Sequence, residues 1–228
     1  MTPKKDEGSL SEKRSIREIE RRRSNREAIL HAAEAVICRK GMNAASMDDV
    51  AAEAGFSKAT LYKYVRSKSE LVFELMIHFL EDLDVRLKEI VGGPLKPEAK
   101  LLALLREVFR YQAEKDNLYR AFIVDRSLFR MVHVFVDDKG NPGTEAARVF
   151  FRRMLAARRA ITGQVETFLR KGVAAGVFRP MSLASATFFL RAVIQGYQHD
   201  QFFRESKPDL EKDVLDIHGY ILRGIKAE

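Results

Sequence analysis

SMDDVAAEAGFSKATLYKYV, residues 46–65, sets two short helical patterns on either side of one glycine. Ser46 can accept the backbone amide three residues on, and Asp49 puts a carboxylate in the electropositive first turn, so a helix starts there. Its apolar stripe is Met47, Val50, Ala51 and Ala54. Gly55 tolerates a left-handed turn, and Ser57 caps a second helix whose inward contacts are Leu61, Tyr64 and Val65. Two helices that cross at a wide angle need small residues at the contact and usually a glycine in the turn. Ala51 and Gly55 meet that need, and Phe56 and Leu61 fill the space beneath. The spacing predicts a helix-turn-helix. Its second helix offers Ser57, Lys58, Thr60, Tyr62 and Lys63 outward, side chains that bond phosphates or base edges in a major groove. The competing reading is a buried helical pair with a polar surface.

Helical periodicity continues in both directions. Upstream, Ile29, Ala32, Ala33, Val36 and Ile37 recur at three- and four-residue spacing, and Gly41 closes the pattern. The segment before Ser24, with Arg21, Arg22 and Arg23, reads either as a mobile basic arm or as a solvated helix extension laced by intrahelical ion pairs. Downstream, Ser67 and Glu70 form an S-x-x-E capping box for a long helix carrying Val72, Met76, Phe79, Leu83, Leu87 and Ile90, ended by Gly92, Gly93 and Pro94. Further helices are expected over residues 97–114, from Thr144 toward Gly172, from Ser182, and from Pro208 to Gly224. An aromatic segment (118–136) and a loop (137–143) fall between them. No alternating apolar run bounded by hairpin turns appears, so the expected fold class is all-α.

The chain has 228 residues, 46% hydrophobic and 32% charged, which is enough apolar content for a core and too much for a wholly disordered chain. Lys and Arg number 40 against 32 Asp and Glu, a formal charge of +8. Of these, 15 bases but only 10 acids precede Ser69, so the positive excess gathers at the front, where it favours an anionic partner. The single cysteine, Cys38, excludes an internal disulfide and a multi-thiolate metal site and fits a reducing cytoplasm. No stretch resembles a signal-peptide core or a membrane span, so a cytoplasmic protein without membrane contact is expected. Hydrolase, zinc-protease, P-loop and dinucleotide fingerprints are missing, and the five histidines are scattered without metal-ligand spacing. Neither an enzyme nor a cofactor is expected. Two alternatives to a DNA-binding regulator stay open: a helical adaptor that never touches DNA, and a redox-sensing regulator acting through Cys38, which precedes Arg39 and Lys40.

Arg26, Ile29, Leu30, Ala32 and Ala33, then Gly41 and Ser46, then DDVAAEAGFSKATLYKYVRSKSEL from Asp48 to Leu71, resemble the tetracycline-repressor (TetR) family of bacterial transcriptional regulators. The resemblance is strong over residues 24–75 and architectural beyond. It implies that Ser57–Tyr64 is the recognition helix and that Tyr62 and Lys68 hold phosphates, with Ser46 a further candidate. Arg23, Arg26, Ser57, Lys58, Thr60, Lys63 and Tyr64 complete the expected DNA face. Lys68 suits that role on physical grounds as well, since the first turn of a helix attracts a phosphate. Lys63 and Val65 depart from residues common in the family. The arm is also longer than the family needs, which suggests extra minor-groove or phosphate contacts.

The resemblance further implies a basic N-terminal arm (1–23), a three-helix DNA-binding domain (24–68) and a larger helical ligand-binding and dimerisation domain (69–228). Residues 156–172 and 182–203 would form a four-helix homodimer interface, setting two recognition helices about one DNA turn, ~34 Å, apart on a palindromic operator. The implied effector is small and largely apolar, aromatic or fatty acyl. Its candidate contacts are Met76, Phe79, Leu83, Phe109, Gln112, Tyr119, Phe122, Phe129, His133, Phe150, Met154 and Arg158, many of which would be plain core in any case. Arg148, Arg152, Arg153, Arg158 and Arg159 crowd one helix, where they either receive the phosphates of an acyl-coenzyme A or form a solvated face paired with acids. A ligand favouring the conformation with misplaced recognition helices would release the DNA, with the helix from Ser69 to Val91 as the lever.

Overall fold

The computed structural model describes residues 7–116, 118, 145–201 and 209–227. They form α1 (Glu7–Lys40), α2 (Met47–Glu53), α3 (Lys58–Leu61), α4 (Lys68–Gly92), α5 (Pro97–Glu114), α6 (Glu145–Ala174), α7 (Leu183–Asp200) and α8 (Leu210–Ile225). Among the described residues the sole β pairing is an isolated bridge between Phe178 and Lys226, so the fold is all-α. The expected aromatic segment, apart from Leu118, and the loop that follows it lie outside the described residues. The chain divides into two compact units, one running from the start of the chain to Met76 and the other holding Ile77–Asp116 and α6–α8.

In the first unit, α1 buries Ile29, Leu30, Ala32, Ala33, Val36 and Ile37, and Gly41 stops it in the left-handed region at φ 82°. The helix begins at Glu7 rather than near Arg26, so of the two readings of the N-terminal segment the structure adopts the helix extension. Arg21 and Arg22 both reach Glu18, and Arg23 reaches Glu27, at 2.7, 3.1 and 3.0 Å. These pairs at i,i+3 and i,i+4 spacing suit the helical form. Ser46 caps α2 reciprocally: its hydroxyl accepts the Asp49 N–H at 3.1 Å, and the Asp49 carboxylate accepts the Ser46 N–H at 3.0 Å. Two ion pairs of 2.7 Å, Arg39–Glu53 and Lys40–Asp49, tie α2 to the end of α1. Gly55 makes the turn at φ 70°.

Ser57 then caps α3, which is shorter than the expected recognition helix. After Leu61 the backbone tightens, with the amides of Lys63 and Tyr64 bonding three residues back to Thr60 and Leu61. At the start of α4, Ser67 accepts the Glu70 N–H at 3.1 Å, while the Glu70 carboxylate takes the Arg66 N–H at 2.6 Å. The unit continues through the buried residues Leu71, Val72, Phe73 and Leu75.

The second unit is built on α5, which starts at Pro97 in the first helical turn and packs along α8. Leu101, Leu105 and Phe109 join Val214, Ile221 and Ile225 in one core with Phe168, Phe178 and Leu190. Full burial of each such side chain stabilises the unit by ~1.5–3 kcal/mol. Gly172 is required by close approach: a Cβ there would run into the Phe178 ring, which packs edge-on against Phe168. The following turn is clamped to the chain end, since Arg179 N–H bonds to the Ile225 carbonyl and Ala227 N–H to the Val177 carbonyl. Ser182 and Asp209 cap α7 and α8.

Candidate nucleic-acid interface

The helix-turn-helix places its predicted outward side chains together. Lys58, Tyr62 and Lys63 are exposed and Thr60 is partly so, with Tyr62 at 43%. Leu61 and Val65, on the opposite side, are fully buried. Ser57 and Thr60 are not independent, because their hydroxyls bond at 2.9 Å and Ser57 also accepts the Thr60 N–H. Lys58 Nζ sits 2.8 Å from Asp48 Oδ1, and that carboxylate raises the ammonium's pKa above its ordinary value. Ser46 is exposed at the start of α2. The neighbouring Asp49 carboxyl is drawn down to about 2, first by Lys40 and then by the two hydrogen bonds from Ser46. Lys68 opens α4 and donates to the Asn43 carbonyl at 3.0 Å, which holds it beside the loop leading into α2.

Three of the expected contacts are placed elsewhere. The Tyr64 hydroxyl accepts from Asn25 of α1 at 2.8 Å in a partly buried contact, so Tyr64 braces α1 and is not grouped with the exposed side chains. Arg26 pairs with Glu74 of α4. Arg23 is exposed and pairs with Glu27. Reading the sequence missed Asn25, Asp48 and Glu74, which hold or brace candidate side chains. Each partner lies outside the helical i,i+3 and i,i+4 relation, so no local spacing announces it.

Of the expected ligand contacts, Tyr119, Phe122, Phe129 and His133 lie outside the described residues. Met76 belongs to the first unit, at its boundary on α4. In the second unit Phe109 is buried against Tyr197 with ring centroids 4.4 Å apart, Leu83 packs on the same core, and Phe79 lies 4.8 Å from Tyr111. Gln112 is 9% exposed, and its Oε1 is buried without a hydrogen-bond partner among the described residues; Thr187 Oγ1 on α7 is in the same condition. Leaving such an atom unpaired costs about 1–3 kcal/mol. Phe150 is buried beside Phe151, Met154 is half-buried, and Arg158 is exposed. Arg148 and Arg152 both pair with Glu145, as a solvated face would. Arg86 stacks over the same Tyr111 ring at 4.6 Å and bonds to the buried Glu107 at 3.1 Å. Cys38 is half-buried on α1. Among the described residues no group of acids, histidines or cysteine could hold a metal ion, and no helix is long and apolar enough to cross a membrane.

Residues 29–75 match the family model for bacterial regulatory proteins of the tetR family. The HTH-type transcriptional repressor KstR2 of Mycobacterium tuberculosis is 34% identical over 86 residues, which are 38% of this chain and 43% of that one. The match thus spans less than half the length of that relative. A TetR/AcrR-family regulator from Thermobifida fusca superimposes with a TM-score of 0.65 at 25% identity, covering 88% of this chain and 98% of the other. FadR of Bacillus subtilis, solved with stearoyl-CoA, gives a TM-score of 0.66 at 16% identity, covering 87% and 98%.

Proposed function

We propose that the chain, whose residues 29–75 match the family model for bacterial regulatory proteins of the tetR family, is a ligand-responsive transcriptional repressor of that family that binds a palindromic operator as a homodimer. The observation that carries the reading is the exposed group Lys58, Thr60, Tyr62 and Lys63, held on a firmly capped helix-turn-helix beside Ser46 and Lys68. Tyr62, Lys68 and Ser46 contact phosphates, and Lys63 with Thr60 meets base edges. In the dimer, α6 and α7 form the interface. They carry the exposed apolar residues Leu155, Phe188 and Phe189, more than a solvated pair of helices needs.

The effector binds in the second unit, where Phe79, Leu83 and Phe109 offer apolar contact and Gln112 Oε1 offers an acceptor to a ligand donor. The stearoyl-CoA of the Bacillus subtilis protein is one example of a ligand with a long apolar chain in this fold. Helix α4 carries both Lys68 and Leu83, so a ligand that shifts the helix is read at the DNA end. The test is to select duplexes from a random pool with the purified protein and measure affinity against salt. Tyr62→Ala or Lys68→Ala should weaken every sequence, whereas Lys63→Ala should change which sequence is preferred. Indifference to all three would reject the assigned face.

A further inference from the structure

Helix α1 projects well before its first buried residue, Ile29, and one stripe of that projection carries three arginines. On a 100° helical wheel, Arg14, Arg17 and Arg21 fall within one narrow stripe, at i, i+3 and i+7, and Asn25 continues it at i+11. Glu18 borders that stripe and pairs with Arg21 at 2.7 Å, while Glu12, Glu20 and Glu27 lie on the other side with Arg23 and with Ile16 and Ile19, both of which are exposed. The arginine side is the one that, at Asn25, meets Tyr64 at the end of the recognition segment, and Arg21 lies within electrostatic reach of the same tyrosine. Arg14 and Arg17 are exposed and make no ion pair among the described residues.

A helix with side chains is about 10–12 Å wide and the minor groove about 6 Å. Insertion as an arm is therefore excluded for the segment in this form, which leaves the phosphate ridge as the part of a duplex it can follow. We propose that Arg14, Arg17 and Arg21 form a phosphate-tracking stripe that extends each subunit's contact onto DNA flanking the operator. From Asn25 to Arg14 the helix rises about 16 Å, enough to follow about five further base pairs. The stripe reads no bases; it adds affinity that salt removes. This inference rests on the DNA-binding reading of the helix-turn-helix.

The experiment titrates a labelled random-sequence duplex of about 40 base pairs, roughly four times the ~34 Å between two recognition helices, across a salt series. Wild type is compared with the triple variant Arg14→Gln, Arg17→Gln, Arg21→Gln and with the matching triple lysine variant. Losing three phosphate contacts per subunit should flatten the log–log salt slope by about 5 for a dimer, at ~0.9 per phosphate. The lysine variant should keep the wild-type slope. Equal slopes for wild type and the glutamine variant, with helix content unchanged by circular dichroism, would overturn the stripe. A flat slope for wild type itself would instead overturn the DNA-binding reading.

Discussion

Lys58 is both the first residue of α3 and the partner of Asp48 on α2, so a duplex must compete with a carboxylate 2.8 Å away for the same ammonium. Both side chains are largely exposed, and the pair therefore governs binding more than folding. Asp48→Asn removes the competitor and a charge that repels phosphate. It should tighten binding to any duplex by about three- to tenfold at low salt, with the gain shrinking as salt screens it. Anisotropy titrations on operator and random duplexes check this, and the ratio between the two should fall. Gly172 poses a steric question of the same size. Alanine there collides with the Phe178 ring, and because the ring is packed edge-on against Phe168 it cannot simply swing aside. Gly172→Ala should lower unfolding stability by about 1–3 kcal/mol in denaturant melts. Adding Phe178→Leu should recover part of that loss, a coupling that a remote effect would not produce.

At the scale of elements, α2 depends on a cap that is also an electrostatic device. Ser46→Ala removes the hydroxyl that accepts the Asp49 amide and should cost ~1 kcal/mol. The Asp49 carboxyl falls from 3.8 to about 2 on folding, so its contribution to stability is complete above 3.8 and is lost as pH falls toward 2. Asp49→Asn should remove that part of the acid sensitivity, as urea melts between those pH values would record. The cap was legible in the sequence because all its parts lie within one turn, and Pro97–Glu114 was legible because proline and apolar spacing mark one helix without competition. The extent of α1 was not, since arginine, glutamate and serine suit a solvated helix and a mobile arm equally; the Glu18 and Glu27 pairs settle it only in three dimensions. The exposed group Lys58, Tyr62 and Lys63 followed from helical spacing, as did the inward placement of Tyr64, but its bond from Asn25 and the tightening after Leu61 are contacts that no periodicity encodes.

For the whole molecule, the decisive question is whether two copies must associate for DNA to be held. Phe188 and Phe189 on α7 are 63% and 53% exposed, and Leu155 on α6 is 45% exposed. Ala184, Ala192 and Gly196 are also exposed on α7, so the helix can approach another backbone closely. An aromatic pair left in water contributes nothing to the protomer's own core. Phe188→Glu should therefore leave the protomer's stability within about 0.5 kcal/mol, while buried charge and lost apolar area at a twofold interface should abolish association. Sedimentation would then report a protomer of unchanged helix content. Separating the two recognition helices removes the effective-concentration advantage of a tethered pair, so operator affinity should fall by about 10²- to 10⁴-fold while binding of a single half-site is retained. Leu155→Glu, on the partnering helix, should act alike. If both variants sediment as wild type and bind operator unchanged, the self-association surface lies elsewhere and α6–α7 is not what brings the two heads to one operator.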